Sequence, residues 1–363
     1  MWSDGRERRL AALRASLVAS QLDGLLVSAL PNIRYLTGFS GTSALLLVTG
    51  RDTILLTDFR YQTQVAEESA DVATLVIEAT SLWTRLWSVL PHRPNVGMLA
   101  FESAHLPYAD FQRLLEGGAR WDWRPAVNLV ERLREQKDEA EIAHLNRAVR
   151  IGENALEKTI AQVHQGLSEF EIAALLESEL RRAGSEAFPF ETIVASGERS
   201  ALPHARCSAR LVQPGEFLLI DFGAVSGGYC SDITRTFVVG TASVEMRAVY
   251  DVVRTANAVA SGGLRAGMRG KDGDALARSY IDSCGFAAEF GHSLGHGIGL
   301  EVHEAPRLAR TAVAPLPVGA VVTVEPGIYR PGWGGVRIED DVLLTAEGPV
   351  VLTSFPRDLL ELG

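Results

Sequence analysis

Two aspartates on neighbouring β-rich runs carry the strongest chemical signal in this sequence of 363 residues. Asp221 and Asp232 lie in FLLIDFGAVSGGYCSDITRTFVV, where SGG is typical of a tight hairpin turn. If Ser226 and Gly227 form a two-residue turn, the two aspartates face each other. Their Cβ atoms are then about 4.5–5.5 Å apart, where like charges repel. A cation between them would remove that repulsion; the alternative is a solvated hairpin face with a shifted register.

A second acidic pair lies in a similar hairpin further along the chain. Glu325 and Glu339 stand on either side of the turn sequence PGWGG. Because Asp340 and Asp341 follow Glu339 directly, the choice among these three carboxylates depends on the strand register. Taken alone, an acidic run at a strand end indicates a solvated surface. Its place in a second hairpin of the same kind favours a metal site instead.

Histidines and glycines cluster in GHSLGHGIGLEVHE, residues 291–304. The glycines disfavour a helix, and a glycine-rich backbone lets other groups approach closely. His296 and His303 have opposite strand parity, so both face one site only if the strand is bent or bulged. A structural role is the usual alternative for any single histidine. His292 lies in the same cluster, and three histidines among so many glycines favour a functional site.

These side chains together offer many oxygen ligands and few nitrogen ligands. One metal ion does not need four carboxylates, whereas two divalent ions about 3.5–4 Å apart with a bridging water do. The set suits Mn²⁺, with Co²⁺ or Zn²⁺ as alternatives. The pKa of water bound to such ions falls from near 16 to about 7, which provides hydroxide at neutral pH. The residues therefore predict a dinuclear metal-dependent hydrolase.

The elements that position these residues are repeated along the chain. Asp138 and Ser168 each begin a capping box, and each predicts the start of a helix. A similar pair of helices follows later, and the two pairs end at glycines with matching spacing, namely Gly166 and Gly184, then Gly267 and Gly285. Each helix pair precedes two strand-like runs, which span 216–224 and 229–239, then 320–329 and 336–345. We interpret this order as an internal duplication, with the site expected between its halves.

The first part of the chain has a different pattern of predicted helices and strands. A predicted amphipathic helix over Glu7–Gln21 is followed by short apolar runs that alternate with helical stretches, which is typical of a small α/β domain. No G-x-G-x-x-G follows the first predicted strand, so we assign no dinucleotide site. The charged segment 128–137 reads as a junction. The sequence therefore predicts one domain over 1–131 and a second, α+β, domain over 132–363.

Composition excludes several classes of protein. With 47% hydrophobic and 22% charged residues, the chain is not disordered. A net charge of −10 argues against nucleic acid and anionic membranes as partners. The three cysteines lack a C-x-x-C spacing and predict neither a disulfide framework nor a cysteine zinc site. The charged N-terminus and the lack of a long apolar run predict a cytoplasmic protein.

The motifs also resemble those of a known family. ALPHA, LLIDFGA, CSDITRT, GHSLGHGIGLEVHE, TVEPGIY and GGVRIEDD resemble the motif set of the pita-bread metallopeptidases, family M24. The segment NIRYLTGFSGTSALLLVT resembles the N-terminal domain of the Xaa-Pro peptidase branch. The resemblance implies an α/β N-terminal creatinase/prolidase-like domain followed by an α+β pita-bread catalytic domain with an internal pseudo-twofold duplication. It further implies a homodimer that acts on small peptides with proline at the second position.

The resemblance also implies a role for each site residue. The five dimetal ligands would be Asp221, Asp232, His296, Glu325 and Glu339. Glu325 would in addition act as the general base for the bridging hydroxide. His204 would line the substrate pocket, His292 would contact the substrate, and His303 would stabilise the tetrahedral intermediate or pass a proton to the leaving nitrogen. Arg337 and Tyr329 would lie in the pocket or behind the ligands.

Two peptidase activities fit these residues. The preferred hypothesis is an Xaa-Pro aminopeptidase that acts on tripeptides and longer peptides. Its rival is an Xaa-Pro dipeptidase (prolidase), which must bind a C-terminal carboxylate, and Arg307 or Arg310 could serve if they are not ordinary surface residues. A remoter alternative is a non-catalytic pita-bread scaffold. The complete ligand set disfavours that scaffold and a metal-free, creatinase-like amidinohydrolase.

Overall fold

A computed structural model describes residues 3–93 and 95–363 of the chain. The chain divides into two units, the first ending at Arg134 and the second spanning Glu135–Gly363. The domain boundary expected between residues 131 and 132 stays a prediction. Within the described residues, every helix is too short or too polar to cross a lipid bilayer.

The first unit is built around a mixed six-stranded sheet. Its helices are α1 (Ser3–Ala19), α2 (Leu30–Thr37), α3 (Gln62–Ser69), α4 (Leu82–Val89), α5 (Tyr108–Gly117) and α6 (Glu131–Arg134). Its strands are β1 (Gly24–Val27), β2 (Ala44–Thr49), β3 (Thr53–Asp58), β4 (Thr74–Glu78), β5 (Met98–Glu102) and β6 (Asp122–Ala126), in the order β4-β3-β2-β1-β5-β6. The sequence did not predict β6, because this edge strand contains Pro125 and is largely exposed, so it has no apolar run.

The second unit contains the two predicted helix pairs. They are α7 (Glu139–Ile160) with α8 (Glu169–Arg182), and α9 (Val244–Gly263) with α10 (Gly270–Ser283). Both predicted capping boxes are present, since the side chains of Asp138 and Ser168 each accept the backbone N–H three residues on. The four glycines that end the helices all have positive φ angles, between 84° and 99°. Glycine adopts that conformation without strain, which is why it ends helices.

The strands of this unit form two larger sheets and two short ribbons. They are β7 (Ile193–Ser196), β8 (Glu216–Phe222), β9 (Val225–Ser226), β10 (Tyr229–Cys230), β11 (Ile233–Val239), β12 (Gly295–Gly297), β13 (Glu304–Leu308), β14 (Val321–Val324), β15 (Gly327–Arg330), β16 (Gly334–Arg337), β17 (Asp340–Leu344), β18 (Pro349–Val351) and β19 (Glu361–Leu362). The larger sheets have the orders β19-β11-β8-β7 and β13-β12-β14-β17-β18, and the ribbons pair β9 with β10 and β15 with β16.

Each helix pair packs on the strands of its own half. Leu156 of α7 is buried in one cluster with Ile220 of β8. Val253 of α9 is buried in another cluster with Val322 of β14. The duplication expected from the sequence is therefore visible both in the order of the elements and in the way that they bury their apolar faces.

The turn of the first hairpin lies one residue later than expected. Ser226 pairs with Tyr229, so the turn consists of Gly227 and Gly228 rather than Ser226 and Gly227. Both turn glycines have positive φ angles, 59° and 82°. A two-residue turn of type I′ requires positive φ at both central positions, and two glycines supply it more readily than serine and glycine do.

This turn changes the residue that faces Asp221. In the observed register Asp221 lies opposite Thr234, so the prediction that it directly faces Asp232 is wrong. Asp232 precedes Thr234 by two residues. Successive side chains of a strand alternate between its faces, so the two aspartates still point to the same side.

The ladder of the second hairpin is interrupted, but its register is the same on both sides of the gap. The β14–β17 ladder ends with the pair Val324 and Asp340, and the β15–β16 ladder continues in the same register. Extended across the gap, that register places Glu325 opposite Glu339. Direct opposition of two carboxylates, expected in the first hairpin, thus occurs in the second.

Candidate metal centre and active site

One cavity of about 600 Å³ in the second unit is lined by residues from both halves. It is lined by every residue that the sequence proposed as catalytic or metal-ligating, namely His204, Asp221, Asp232, His292, His296, His303, Glu325, Arg337 and Glu339. Arg307 also lines it. Placement in one cavity makes a shared site possible, while the role of each residue stays a prediction.

Three side chains of this cavity converge closely enough to bind one cation. One potential ligand atom from each of Asp232, His296 and Glu339 lies within 4.8 Å of the others. Nε2 of His296 is 3.8 Å from Asp232 Oδ2 and 3.6 Å from Glu325 Oε1. Two carboxylates and one imidazole at these separations are a ligand set that suits a divalent transition metal.

The His296 ring is held with one nitrogen directed at the carboxylates. Its Nδ1 lies 3.1 Å from the carbonyl oxygen of Gly297, which can only accept a hydrogen bond, so Nδ1 carries the proton. Nε2 is then left with a free lone pair. Burial lowers the pKa of His296 to about 4, so the ring is neutral at pH 7 and can bind a cation.

Three of the four carboxylate ligands proposed from the sequence stand where the strand ladders are interrupted. Asp232, Glu325 and Glu339 belong to no strand. Their backbone N–H groups bond elsewhere, and that of Glu339 donates to the carbonyl of Thr234 in the other half at 3.0 Å. These interruptions allow the side chains to leave the strand direction, and the hydrogen bond joins the two hairpins.

Several buried carboxylate oxygens in this region have no hydrogen-bond donor among the described residues. They are Asp221 Oδ1, Glu339 Oε1 and Asp341 Oδ1. A buried acceptor without a partner costs about 1–3 kcal/mol, and more if it is charged. The first two belong to residues that line the cavity. A divalent cation bound there would satisfy them, so the residues present fit a metal centre.

The pKa shifts in the cavity show the same need for positive charge. Burial, reinforced by the neighbouring Glu339, raises the pKa of both Asp232 and Glu325 well above their usual range. Burial and the nearby Asp221 raise the pKa of Glu339 to about 8. Each shift reflects the cost of holding several negative charges in a water-poor site without a cation. A bound cation would reverse that effect.

Arg337 connects two of the proposed ligands through hydrogen bonds. Its Nη2 donates to Asp221 Oδ2 at 2.5 Å, and its Nε donates to the Thr234 hydroxyl at 3.1 Å. That hydroxyl in turn donates to Glu339 Oε2 at 2.7 Å. Arg337 therefore fixes one oxygen of Asp221 directly and one of Glu339 through Thr234.

The same guanidinium is also linked to His292 through the hydroxyl of Tyr329. Arg337 Nη1 donates to the Tyr329 hydroxyl at 2.8 Å, and Tyr329 lies 3.0 Å from His292 Nε2. Because Nδ1 of His292 faces the carbonyl of Ser293, the ring carries its proton there, and Nε2 accepts from Tyr329. Burial, aided by the charge of Arg337, lowers the pKa of His292 to about 4. A neutral ring fits this chain of donors.

Two further residues support the proposed ligands, namely Thr234, which sequence reasoning missed, and Asp341, which it left open as an alternative to Glu339. Thr234 bonds Glu339, as described, and Oδ2 of Asp341 accepts the backbone N–H of Asp232 at 3.2 Å. Each lies two residues after a proposed ligand, so strand alternation gave a signal that could have found them.

Within the acidic run 339–341, Asp340 forms an ion pair with the fully buried Arg235. Arg235 Nη2 donates to Asp340 Oδ1 at 2.8 Å. Its other donors reach backbone carbonyls, those of Thr234, Glu339, Phe355 and Pro356. Asp340 is therefore committed to an ion pair, while Glu339 lines the cavity. Through Arg235 the chain near residue 355 is fastened to the segment that carries Glu339.

His303 reaches the cavity because the chain turns back after β12, through residues 298–303, which belong to no strand. The pairing of β12 with β13 shifts register between His296 and Gly297. The rings of His296 and His303 then lie edge to face with centroids 4.4 Å apart. Burial and the neighbouring Arg307 lower the pKa of His303. His204 lies on a different, exposed segment that also lines the cavity.

Comparisons with known proteins agree with this geometry. The family model described as Metallopeptidase family M24 matches residues 143–346, and the Creatinase/Prolidase N-terminal domain matches residues 9–136. The Xaa-Pro dipeptidase of Pyrococcus horikoshii is 34% identical over 343 residues, which cover 94% of this chain and 95% of the relative. The solved Xaa-Pro dipeptidase from Bacillus anthracis superposes with a TM-score of 0.95 at 38% identity, covering 98% of this chain and 100% of its own. The X-Pro aminopeptidase from Thermotoga maritima gives a TM-score of 0.89 at 37% identity, covering 96% and 98%.

Proposed function

The chain belongs to metallopeptidase family M24, and from that premise we propose that it is a metal-dependent Xaa-Pro aminopeptidase. It would release an N-terminal residue that precedes proline in small peptides. One observation carries this proposal: ligand atoms of Asp232, His296 and Glu339 converge within 4.8 Å in a cavity that three further histidines line.

Two divalent cations, with Mn²⁺ preferred, would be held by the five residues that the motifs assign. These are Asp221, Asp232, His296, Glu325 and Glu339. When bound, such ions supply Lewis acidity and a nucleophile at neutral pH. The unpartnered oxygens of Asp221 and Glu339 support this assignment, because each is a buried acceptor that a cation would satisfy.

The residues around these ligands divide the remaining work. Arg337 holds Asp221 in one orientation, so that a single oxygen remains for binding. Glu325 would accept the proton of the nucleophile. His292, neutral and fixed by Tyr329, would contact the substrate. His303 would relay a proton to the leaving nitrogen. Because burial lowers its pKa, the ring is neutral near pH 7, so it would take up a proton at one ring nitrogen as it releases the proton of the other.

The substrate imposes this need for a proton donor. An Xaa-Pro bond is a tertiary amide without an N–H, so a peptidase cannot hold its substrate through that group. The departing proline nitrogen must gain a proton as the bond breaks. The cavity lining includes the apolar residues Phe190, Ile193 and Val302, and apolar contacts suit a proline ring.

Xaa-Pro dipeptidase activity is a second candidate function. The position of Arg307 in the cavity lining favours it. Arg307 lines the cavity, whereas Arg310 does not line it. An arginine at that place could receive the C-terminal carboxylate of a dipeptide. The rates of hydrolysis of Gly-Pro and of Gly-Pro-Ala by the manganese-loaded protein separate the two activities. Cleavage restricted to the dipeptide would overturn the aminopeptidase proposal.

The requirement for metal has its own test, which also addresses the non-catalytic scaffold. Protein treated with a chelator should lose activity towards Gly-Pro-Ala and regain it with Mn²⁺ or Co²⁺. Full activity after exhaustive removal of metal would contradict the mechanism, and inactivity with every metal and peptide would favour the scaffold. Assembly as a homodimer and a cytoplasmic location stay predictions.

A further inference from the structure

A buried ion pair lies behind the segment that carries His303. Lys137 Nζ is 3.2 Å from Glu304 Oε2, and the two side chains are only 1% and 6% exposed. The other carboxylate oxygen of Glu304 accepts the backbone N–H of Glu301 at 3.0 Å. A buried charge is tolerated only when it is paired and hydrogen-bonded. Each member of the pair therefore fixes the place of the other.

The backbone at Lys137 is held by hydrogen bonds within the second unit. Its backbone N–H donates to the carbonyl of Gly319 at 2.9 Å. The next residue, Asp138, is the N-cap of α7 and closes a capping box there. The ammonium group thus projects from a backbone that is held on both sides, and it gives Glu304 a fixed anchor.

Glu304, in contrast, adjoins backbone with little regular structure. Residues 298–303 belong to no helix or strand, and His303 is the last of them. Gly299 packs so closely on Glu304 that a Cβ atom there would lie 2.7 Å from its carboxylate. The carboxylate therefore lies on the inside of this loop. It bonds the backbone of Glu301, and Glu304 itself is the first residue of β13.

The side chains of the neighbours His303 and Glu304 lie in different surroundings. His303 lines the cavity, as Arg307 does. The carboxylate of Glu304 instead lies inside the loop, where it contacts Lys137 Nζ and accepts the backbone N–H of Glu301. The residue that faces the cavity is therefore next in the chain to the residue that is anchored.

From these observations we propose that the Lys137–Glu304 ion pair positions His303 for proton transfer to the leaving nitrogen. The inference rests on the proposed function, because it takes the role of His303 from there. Glu304 and Lys137 are positioning residues, since they act through the loop and line no part of the cavity themselves. Small displacements of a reacting group lower catalytic rates strongly, by up to about 100-fold for an ångström.

The test is a double-mutant cycle with Glu304→Gln and His303→Ala in the manganese-loaded protein. Glu304→Gln should lower kcat for Gly-Pro-Ala by about 10–100-fold with little change in KM. In the His303→Ala background the same substitution should change kcat by less than about twofold, because the residue that it positions is absent. Equal losses of kcat in both backgrounds, or no loss in the otherwise native protein, would overturn the inference.

A second variant covers the chance that a lone buried charge prevents folding. Lys137→Met with Glu304→Gln removes both charges, so the melting temperature should recover relative to either single variant. Its kcat should nevertheless stay low, since the anchor is lost. Recovery of kcat together with the melting temperature would show a purely structural pair and would contradict the proposal.

A matched control uses a carboxylate away from the cavity. Glu179 on α8 pairs with Lys158 and Arg182 and is itself 7% exposed. Glu179→Gln should leave kcat unchanged. The outcomes also separate this inference from the proposed function. If the native protein cleaves no Xaa-Pro peptide with any metal, the proposed function fails and the inference with it; if His303→Ala alone leaves kcat intact, the role of His303 and the inference fail while the peptidase assignment survives.

Discussion

Arg337 donates a hydrogen bond of 2.5 Å to Oδ2 of Asp221, and Oδ1 of that carboxylate is buried without a partner among the described residues. The guanidinium thereby determines which oxygen remains for a cation. Hydrogen bonds behind metal ligands commonly change metal affinity by about 10–100-fold. If Asp221 binds a metal ion, as the motifs predict, Arg337 would therefore influence metal affinity through this hydrogen bond, although it is itself a cation.

Replacement of Arg337 tests this arrangement. Arg337→Met should weaken Mn²⁺ binding by about 10–100-fold, measured by titration calorimetry. It should also lower the free energy of unfolding by about 3–5 kcal/mol, because Asp221 is left as an unpaired buried charge. The control is Arg254→Met on α9, where the arginine is exposed and its ion pair with Asp251 contributes little. Unchanged affinity in Arg337→Met would refute the role given to the guanidinium.

The stability of the metal-free protein should decrease as the pH rises. The pKa of Glu339 in the folded protein is raised to about 8 from a usual value of 4.5. A raised acid pKa means that the folded state holds a proton that the unfolded state releases. The stability contribution is therefore fully present below about pH 4.5 and is lost as the pH passes about 8. Thermal melting in chelator between these pH values measures it.

Glu339→Gln provides the control for that pH dependence. The amide does not ionise, so the decrease in melting temperature with pH should be smaller in this variant. Excess Mn²⁺ should stabilise the native protein by about 2.7 kcal/mol at 100 times its Kd, and by more at high pH, where the acids are already ionised. Between about pH 6.5 and pH 8 the buried His292 and His296 are largely neutral in both the folded and the unfolded state, so a metal-free melting temperature that rises in this window would contradict the sign assigned here.

Tyr329 lies between Arg337 and His292, so removal of its hydroxyl should affect both. Tyr329→Phe leaves an Arg337 N–H without its acceptor, which costs about 1–3 kcal/mol of stability. It also frees His292, the predicted substrate contact, so KM for Gly-Pro-Ala should rise more than kcat falls. Steady-state kinetics with matched thermal melts separate the two effects. An unchanged KM would remove the support for His292 as a substrate contact.

A pair of glycine variants tests the observed hairpin turn. Gly227 and Gly166 both have positive φ angles, 59° and 88°. A Cβ atom at Gly227 would lie 2.2 Å from the His144 ring, whereas one at Gly166 would meet no neighbour within 4 Å. Gly166→Ala should cost about 1–2 kcal/mol for its backbone alone, and Gly227→Ala about 1–3 kcal/mol more because of the overlap. Equal losses in urea unfolding would argue against this turn.

The sequence was most informative where one local interaction determines the structure. The capping boxes at Asp138 and Ser168 act through a single side chain and a nearby N–H, so their helix starts could be predicted. The helix-ending glycines were predictable for the same reason, because Gly166 and Gly184 satisfy a backbone requirement that other residues meet poorly.

The strand register was less accessible to sequence analysis. SGG permits more than one two-residue turn, and a shift of the turn by one residue replaced Asp232 with Thr234 opposite Asp221. The interruptions at Glu325 and Glu339 could not be predicted either, because their N–H groups bond partners that are distant in the sequence. The residue types of the site were readable, but their supports, such as Thr234, depended on these long-range contacts.

During synthesis of the chain, several of the acceptors that Arg235 binds are made well after the arginine itself. Its acceptors at Phe355 and Pro356 follow it by 120 and 121 positions in the chain. A ribosome adds about 5–20 residues per second, so these carbonyls are made roughly 6–24 seconds after the arginine. During that interval the nascent chain already contains Asp221 and Asp232 but still lacks the segment that fastens Glu339. The segment that carries Glu339 therefore gains these last contacts only after the chain has been extended past residue 356.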